Sequence, residues 1–278
     1  MKTLSALTSI MVISTLATTV DSAQAISSDG ALATQSSSVY GPEGTDYGPQ
    51  SPRNIDQLYG SNKRVFSAAP NRTSMNLCNI HFHASAEHQG GEFTTPAGDR
   101  WQDGFGYSGS LTDSQLKPFT QNVCPVSGKS LKPGDTIELH YVYSTANVDP
   151  GATLSSCLSD NVANPQLRVE AQVLVLVNDN KAADFKTLTE VRQINGYDQA
   201  VNIPTNTGKP VEYLGSTTGP SYNEQSSPVK VSWSVRPEVI YTDIATVGQW
   251  CQDNPFQEKG AHGVRKLVTK PEYLSAAN

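Results

Sequence analysis

Asn79-Ile80-His81-Phe82-His83, followed at once by Glu87-His88, is the stretch on which the reading of this chain turns. The chain has five histidines, and three of them fall within residues 81–88. A strand sends alternate side chains to the same face. His81 and His83 would therefore point one way and Phe82 the other. A lone histidine on such a strand is ordinarily a hydrogen-bonded polar residue. Two at alternate positions, roughly 6.7 Å apart along one face, can converge on a single metal ion. A catalytic zinc needs a third ligand and an open fourth position, and that ligand must come from a neighbouring strand.

His140 fits. It lies in Asp135-Thr136-Ile137-Glu138-Leu139-His140-Tyr141-Val142-Tyr143, a run of β-branched and aromatic residues set off by Gly134. Such a run reads as a strand after a turn. Glu138, His140 and Val142 share one face; Ile137, Leu139, Tyr141 and Tyr143 take the other. A carboxylate two residues before a ligand histidine suits the task of accepting its spare N–H and fixing its tautomer. Asn79 stands in the same relation to His81.

At these residues the chain resembles the carbonic anhydrases. His81-Phe82-His83, Glu87-His88 and Glu138-Leu139-His140 follow the alpha-class succession H-F-H, E-H and E-L-H. Cys78-Asn79-Ile80-His81-Phe82-His83 with Glu87-His88-Gln89-Gly90-Gly91-Glu92-Phe93 is closer still to the delta class. Gln50-Ser51-Pro52 with Ile55, Tyr213-Leu214-Gly215-Ser216-Thr217-Thr218-Gly219-Pro220, and Val231-Ser232-Trp233 resemble further alpha-class segments in the same order. The likeness runs from about residue 47 to about 240. The stretch 96–134 between the second and third candidate ligands is longer than the alpha-class spacer, which suits the delta reading.

The resemblance implies a large twisted, mostly antiparallel sheet with short peripheral helices. It implies reversible hydration of carbon dioxide to bicarbonate by a metal-bound hydroxide, with Zn2+ on His81, His83 and His140. Imidazole suits several divalent ions, so Co2+ or Cd2+ are possible substitutes. Glu87 would hold the threonine that orients the hydroxide. Counting forward from Gly215-Ser216 selects Thr218, and aligning the threonines as a pair selects Thr217; Thr218 is preferred. His88 is read as a structural, hydrogen-bonded residue. Val142, Val231 and Trp233, with one valine of residues 173–177, would wall the substrate pocket. No histidine precedes His81 to carry protons outward. His262 is the only spare, and its position does not match the family's pattern.

Two other readings compete. A cupin metalloenzyme would use His81, His83, Glu87 and His140, with Glu87 as a ligand and iron or manganese as the metal. Most glycines that a cupin expects are missing, and Gly134 precedes His140 by six residues. A non-enzymatic periplasmic metal-binding module would hold the ion and do no chemistry.

Length and composition set the frame. The 278 residues suffice for one large domain, taken as 49–278. Residues 1–25 read as a signal peptide, with Lys2 at the start, a mostly apolar or small core and Ala23-Gln24-Ala25 as the cleavage site. Residues 26–48, rich in Ser, Gly, Ala and Thr, read as a flexible lead-in. No other stretch is long and apolar enough to span a bilayer. The expected location is therefore the periplasm or the exterior. A net charge of −6 without a basic cluster excludes a nucleic-acid binder. The partner is a small molecule, and oligomeric state is not legible. Cys78, Cys124, Cys157 and Cys251 are even in number, as disulfides in an exported chain require. Of three connectivities the expected one is Cys78–Cys251 with Cys124–Cys157, whose loop of about 33 residues would contribute roughly 3–4 kcal/mol in the chain-entropy model.

Along the rest of the chain, residues 49–70 read as an arm on the surface, and 75–83 as the first ligand-bearing strand. Residues 84–95 read as a loop and strand ending at Phe93-Thr94-Thr95. Residues 96–134 read as loop, with Asp99-Arg100-Trp101 and Gly104–Tyr107 packed over the domain, and 145–165 as a further loop. The run Leu167–Val177 is the strongest strand, apolar enough to be buried on both faces. Residues 185–194 read as a short strand or helix, Val201–Pro204 as an edge strand, 229–235 as a strand stopped by Pro237, and 243–252 as a short helix with Asp243 as N-cap. Helical periodicity is scarce, so the chain is mainly β.

Overall fold

The structure is a computed structural model. It describes residues 48–278 except 65, 99, 100, 102, 126, 127, 163, 218–226 and 228. The signal-peptide reading, nearly all of the lead-in and the pair Asp99-Arg100 lie outside the described residues.

Ten strands are described: β1 (Asn76–Ala84), β2 (Thr95–Pro96), β3 (Phe105–Gly106), β4 (Thr136–Ser144), β5 (Leu167–Val177), β6 (Val191–Ile194), β7 (Tyr197–Ala200), β8 (Val211–Ser216), β9 (Lys230–Val235) and β10 (Ile240–Asp243). Two short helices accompany them, α1 (Phe185–Leu188) and α2 (Ile244–Gln252). The main sheet runs β1-β4-β5-β9-β8, with β10 also paired to β5. β1–β4, β4–β5 and β8–β9 are antiparallel; β5–β9 and β5–β10 are parallel. The fold is thus mainly β, with a large mixed sheet.

Alternation does the organising. On one face of the sheet Ile80, Phe82, Ile137, Leu139, Tyr141, Tyr143, Leu174 and Leu176 pack against α1 and α2. On the other face Val142, Leu167, Val169, Ala171, Val173, Tyr213, Val231 and Trp233 form a second core, and His81, His83 and His140 sit on this side. β5 is the central strand, flanked by β4 on one edge and by β9 then β10 on the other. β9 and β10 are separated at Arg236–Val239, where Pro237 cannot donate to the ladder. α2 starts at Asp243, whose carboxylate accepts from the Ala245 N–H at 3.1 Å.

Three expectations are corrected. Residues 201–204 are not a strand; the pairing ends at Ala200. The strands there are β6 and β7, joined by Asn195-Gly196 with φ of 53° and 83°. That Asn-Gly pair is the sequence signal for a two-residue hairpin turn. Residues 49–70 are not merely a surface arm: Gln50, Ser51, Arg53 and Ile55 are buried, and only the later part, Leu58 and Tyr59, is exposed. The disulfides are Cys78–Cys157 and Cys124–Cys251, not the expected pairs. The reason is the sheet itself. Cys78 and Cys157 belong to the core on the histidine side, Cys124 and Cys251 to the core under α2, and the sheet separates the two.

Candidate metal centre

The antiparallel register of β1 and β4 sets His81 directly opposite His140, and His83 opposite Glu138. His81, His83 and His140 each offer one nitrogen within 4.8 Å of the others. The outer nitrogen of each ring faces a built acceptor. Asn79 Oδ1 lies 2.6 Å from His81 Nδ1, the Gly263 carbonyl 2.7 Å from His83 Nδ1, and Glu138 Oε1 2.8 Å from His140 Nε2. Each of these acceptors calls for an N–H. The proton of each neutral ring is therefore committed outward, and the lone pairs on His81 Nε2, His83 Nε2 and His140 Nδ1 face inward. His140 Nδ1 and His81 Nε2 stand 3.4 Å apart. With both protons used elsewhere this contact joins two acceptors, an arrangement that a cation between them satisfies. Burial, with His262, His140 and His83 close by, holds His81 well below the ordinary imidazole value. Burial lowers His83 to about 4 against the pull of Glu87. Both rings are therefore neutral at pH 7, the form that binds metal. The donor set, three imidazoles, fits a divalent ion of zinc's type.

Glu138 is the hub behind this face. Its Oε1 accepts from His140 and from His88 Nδ1 at 2.6 Å. Its Oε2 accepts from the backbone N–H groups of Glu87 and His88 at 2.6 and 3.0 Å. Burial alone would raise this carboxyl, but the His88 and His140 donors outweigh it and hold it well below the usual range. With its Nδ1 proton spent on Glu138, His88 accepts at Nε2 from the Tyr213 hydroxyl at 2.6 Å. His88, Glu138 and His140 also bring one ligand atom each within 4.8 Å of one another, yet their contacts are those of a hydrogen-bonded chain. Trp233 roofs the group, edge-on to His140 and His88 and stacked on Tyr213. Gly215 is required beneath it: a Cβ there would lie 2.8 Å from Tyr213 and 3.0 Å from Trp233.

The three imidazoles open onto a cavity of about 50 Å³, room for a molecule of a few heavy atoms. Val142, Val231 and Trp233 line it, as does Thr217. Thr218 lies outside the described residues. The valine contributed by β5 is Val169, not one of 173–177. Register explains this: Val169 pairs with Val142 at the cavity, whereas Val173 pairs with Glu138 below it.

Glu87 is buried beside the cavity, and its partner is Arg265. Oε1 accepts from the Arg265 backbone N–H at 3.1 Å and from Nε at 3.3 Å; Oε2 accepts from Nη2 at 3.3 Å. Burial would raise the Glu87 carboxyl, but Arg265 and then His83 bring it down to about 2. A cupin-like role as fourth ligand would compete with that ion pair. Arg265, Gly263, His262 and Glu258 were not legible as site residues. All come from the irregular C-terminal segment, which carries no periodic signal. His262 lies against β1, with its N–H on the Phe82 carbonyl at 2.8 Å and its carbonyl accepting from Ala84 N at 2.9 Å. Its ring reaches the cavity wall and meets Glu258 at 2.9 Å.

A model of the delta carbonic anhydrase family matches residues 72–246, more than half of the chain. No curated protein matches the sequence. Among solved structures, carbonic anhydrase Cah3 from Chlamydomonas reinhardtii in complex with acetazolamide is 15% identical, with 80% of this chain and 87% of that one covered and a TM-score of 0.33. The halotolerant carbonic anhydrase from Dunaliella salina is 15% identical, covering 80% and 84%, with a TM-score of 0.32. The alpha-carbonic anhydrase from Thermovibrio ammonificans, bound to sulfanilamide, is 12% identical, covering 83% and 85%, with a TM-score of 0.29. The family match spans both ligand-bearing strands and the roof over them, and by it this chain belongs to the delta carbonic anhydrases.

Proposed function

We propose that the protein is a zinc carbonic anhydrase that interconverts carbon dioxide and bicarbonate at the centre formed by His81, His83 and His140. One observation carries the reading: three buried imidazoles with their protons committed outward and their lone pairs turned to a common point. When bound, zinc supplies a Lewis acid that brings the pKa of water from about 15.7 toward neutrality, a magnitude established on carbonic anhydrases themselves.

The chain's own residues do the rest. Asn79, the Gly263 carbonyl and Glu138 fix ring orientation and tautomer. Glu138 meets the outer nitrogen of His140 and not the inward-facing one, so its negative charge lies outside the donor set and a bound ion would keep its charge. Val142, Val169, Val231 and Trp233 offer an apolar wall suited to an uncharged, linear substrate. Glu87, held ionised by Arg265, would accept a hydrogen bond from a threonine hydroxyl, that of Thr217 or Thr218, and that threonine would orient the nucleophile. Residues 49–278 act as one domain, because the segments at 50–55 and 262–277 pack onto the same strands. Two disulfides suit a chain that folds in an oxidising compartment, periplasmic or extracellular. No described helix is long and apolar enough to cross a membrane.

The test is stopped-flow carbon dioxide hydration by the zinc-loaded protein beside His140→Ala. The wild type should be active with one zinc per chain, and the variant should lose both zinc and activity. A wild type that holds zinc but does not hydrate carbon dioxide would point to a carrier, and one that holds iron to a cupin-like enzyme.

A further inference from the structure

The register of β1 breaks at one place. Leu77 pairs with Tyr143 and Asn79 with Val142, so Cys78 is an extra residue opposite a single step of β4. Such a bulge re-aims the side chains around it. Without it Leu77 and Asn79 would share a face. With it Leu77 joins the core under the helices, while Cys78 turns to the cavity side beside Asn79. The disulfide and the amide that faces His81 are thereby brought side by side.

Cys78 then grips one loop at both ends. Its carbonyl accepts from the Gly151 N–H at 3.0 Å, and its sulfur is bonded to Cys157. Between those points lies Thr153, with φ 62° and ψ 168°. This is a region that essentially only glycine adopts, and it persists only where the surroundings over-determine it. Thr153 and Leu154 line the cavity. The Gly151 carbonyl accepts from Asn79 Nδ2 at 3.0 Å, which turns Asn79 Oδ1 onto His81 Nδ1. The sequence of contacts runs from the disulfide to Gly151, to Asn79 and to the ligand ring.

We infer that Cys78–Cys157 is a positioning element of the metal centre: by closing loop 151–157 on the β1 bulge it fixes the Asn79 amide, and so couples metal affinity to the oxidised state of this one bond. Cys124–Cys251, in the core on the opposite face of the sheet, has no such path among the described residues. The inference rests on His81, His83 and His140 being the metal site.

The experiment titrates Zn(II) into metal-free protein against a chromophoric chelator. Asn79→Ala sets the scale, with an expected loss of about 10- to 100-fold in affinity, the range for partners of ligand histidines. Cys78→Ser/Cys157→Ser should lose about tenfold or more, and no more than Asn79→Ala does. Cys124→Ser/Cys251→Ser should stay within about threefold of wild type. Adding Asn79→Ala to the Cys78/Cys157 variant should cost less than a further threefold, because both act through one amide. Wild-type affinity in a folded Cys78/Cys157 variant, or losses that multiply, would overturn the proposal. If the double serine does not fold, Cys78→Ala/Cys157→Val replaces it in the same assay; failure of both to fold, beside a folded Cys124/Cys251 variant, would make the bond merely structural and overturn it too. A wild type that binds no zinc would instead overturn the reading of the centre itself.

Discussion

Glu138 shows how much can hang on one carboxylate. It accepts from two imidazoles and two backbone N–H groups, with no exposure to solvent. In Glu138→Gln one oxygen becomes an NH2 that faces donors in place of an acceptor. Either His140 loses the partner that fixes its tautomer or two backbone N–H groups lose theirs. The variant should bind zinc at least about tenfold more weakly in chelator competition. It should also lose roughly 2–4 kcal/mol in urea unfolding, because buried donors are left unpaired. A variant equal to wild type in both assays would sink this account. The link from Glu138 to His140 was legible at a spacing of two residues. The links to Glu87 and His88 were not, because they cross about fifty residues of loop.

At the scale of elements, β1, β4 and β5 were legible because alternation and unbroken apolar runs leave little choice of face. β6 fell within the stretch read as a short strand or helix, but β7 and the hairpin that joins them were not legible, although Asn195-Gly196 carried the signal. β4 also makes a testable contribution to alkaline stability. Its Tyr143 is fully buried in the core, its hydroxyl accepting from the Ala200 N–H at 3.4 Å, and burial pushes the phenol up to about 12 against an ordinary value of 10.0. Burial favours the neutral form, so the folded state holds this proton more tightly than the unfolded chain. The contribution is fully present below pH 10 and is lost as the pH rises toward 12. The full span is roughly 2–3 kcal/mol. Tyr143→Phe should flatten that part of the decline when urea midpoints are compared between pH 9 and 11.5. An unchanged slope would show that Tyr143 does not titrate across the transition.

At the scale of the molecule, the two ends of the described chain meet behind the site. Arg265 donates from Nη1 to the Ser51 carbonyl at 2.9 Å while its guanidinium pairs with Glu87. Gln50 N donates to the Tyr273 carbonyl at 2.7 Å, and Val268 N to the Pro52 carbonyl at 2.9 Å. Ser51 Oγ reaches the Ser216 carbonyl, tying in β8. One buried guanidinium therefore joins the early arm, the acid beside the cavity and the C-terminal segment. Arg265→Met should leave the Glu87 charge buried and uncompensated, at a cost of about 3–5 kcal/mol in equilibrium unfolding at pH 7. Arg265→Lys, which keeps a charge but not the fork, should fall in between. A loss under about 1 kcal/mol in Arg265→Met would mean that Glu87 finds another partner.

The sequence by itself determined the ligand-bearing strands, the face each histidine takes and the acceptors two residues before His81 and His140. These are local properties, set by a side-chain period of two, and they survive in any register that buries the apolar face. The tertiary structure alone decided the disulfide pairing, the valine of β5 that lines the cavity and the partners of His83 and Glu87. Those depend on which strand edge, bulge or loop arrives opposite a residue. Gly263, Arg265 and His262 come from a segment with no periodicity of its own, held by hydrogen bonds to β1 and by the Arg265–Glu87 ion pair, with partners 180 and 178 residues earlier.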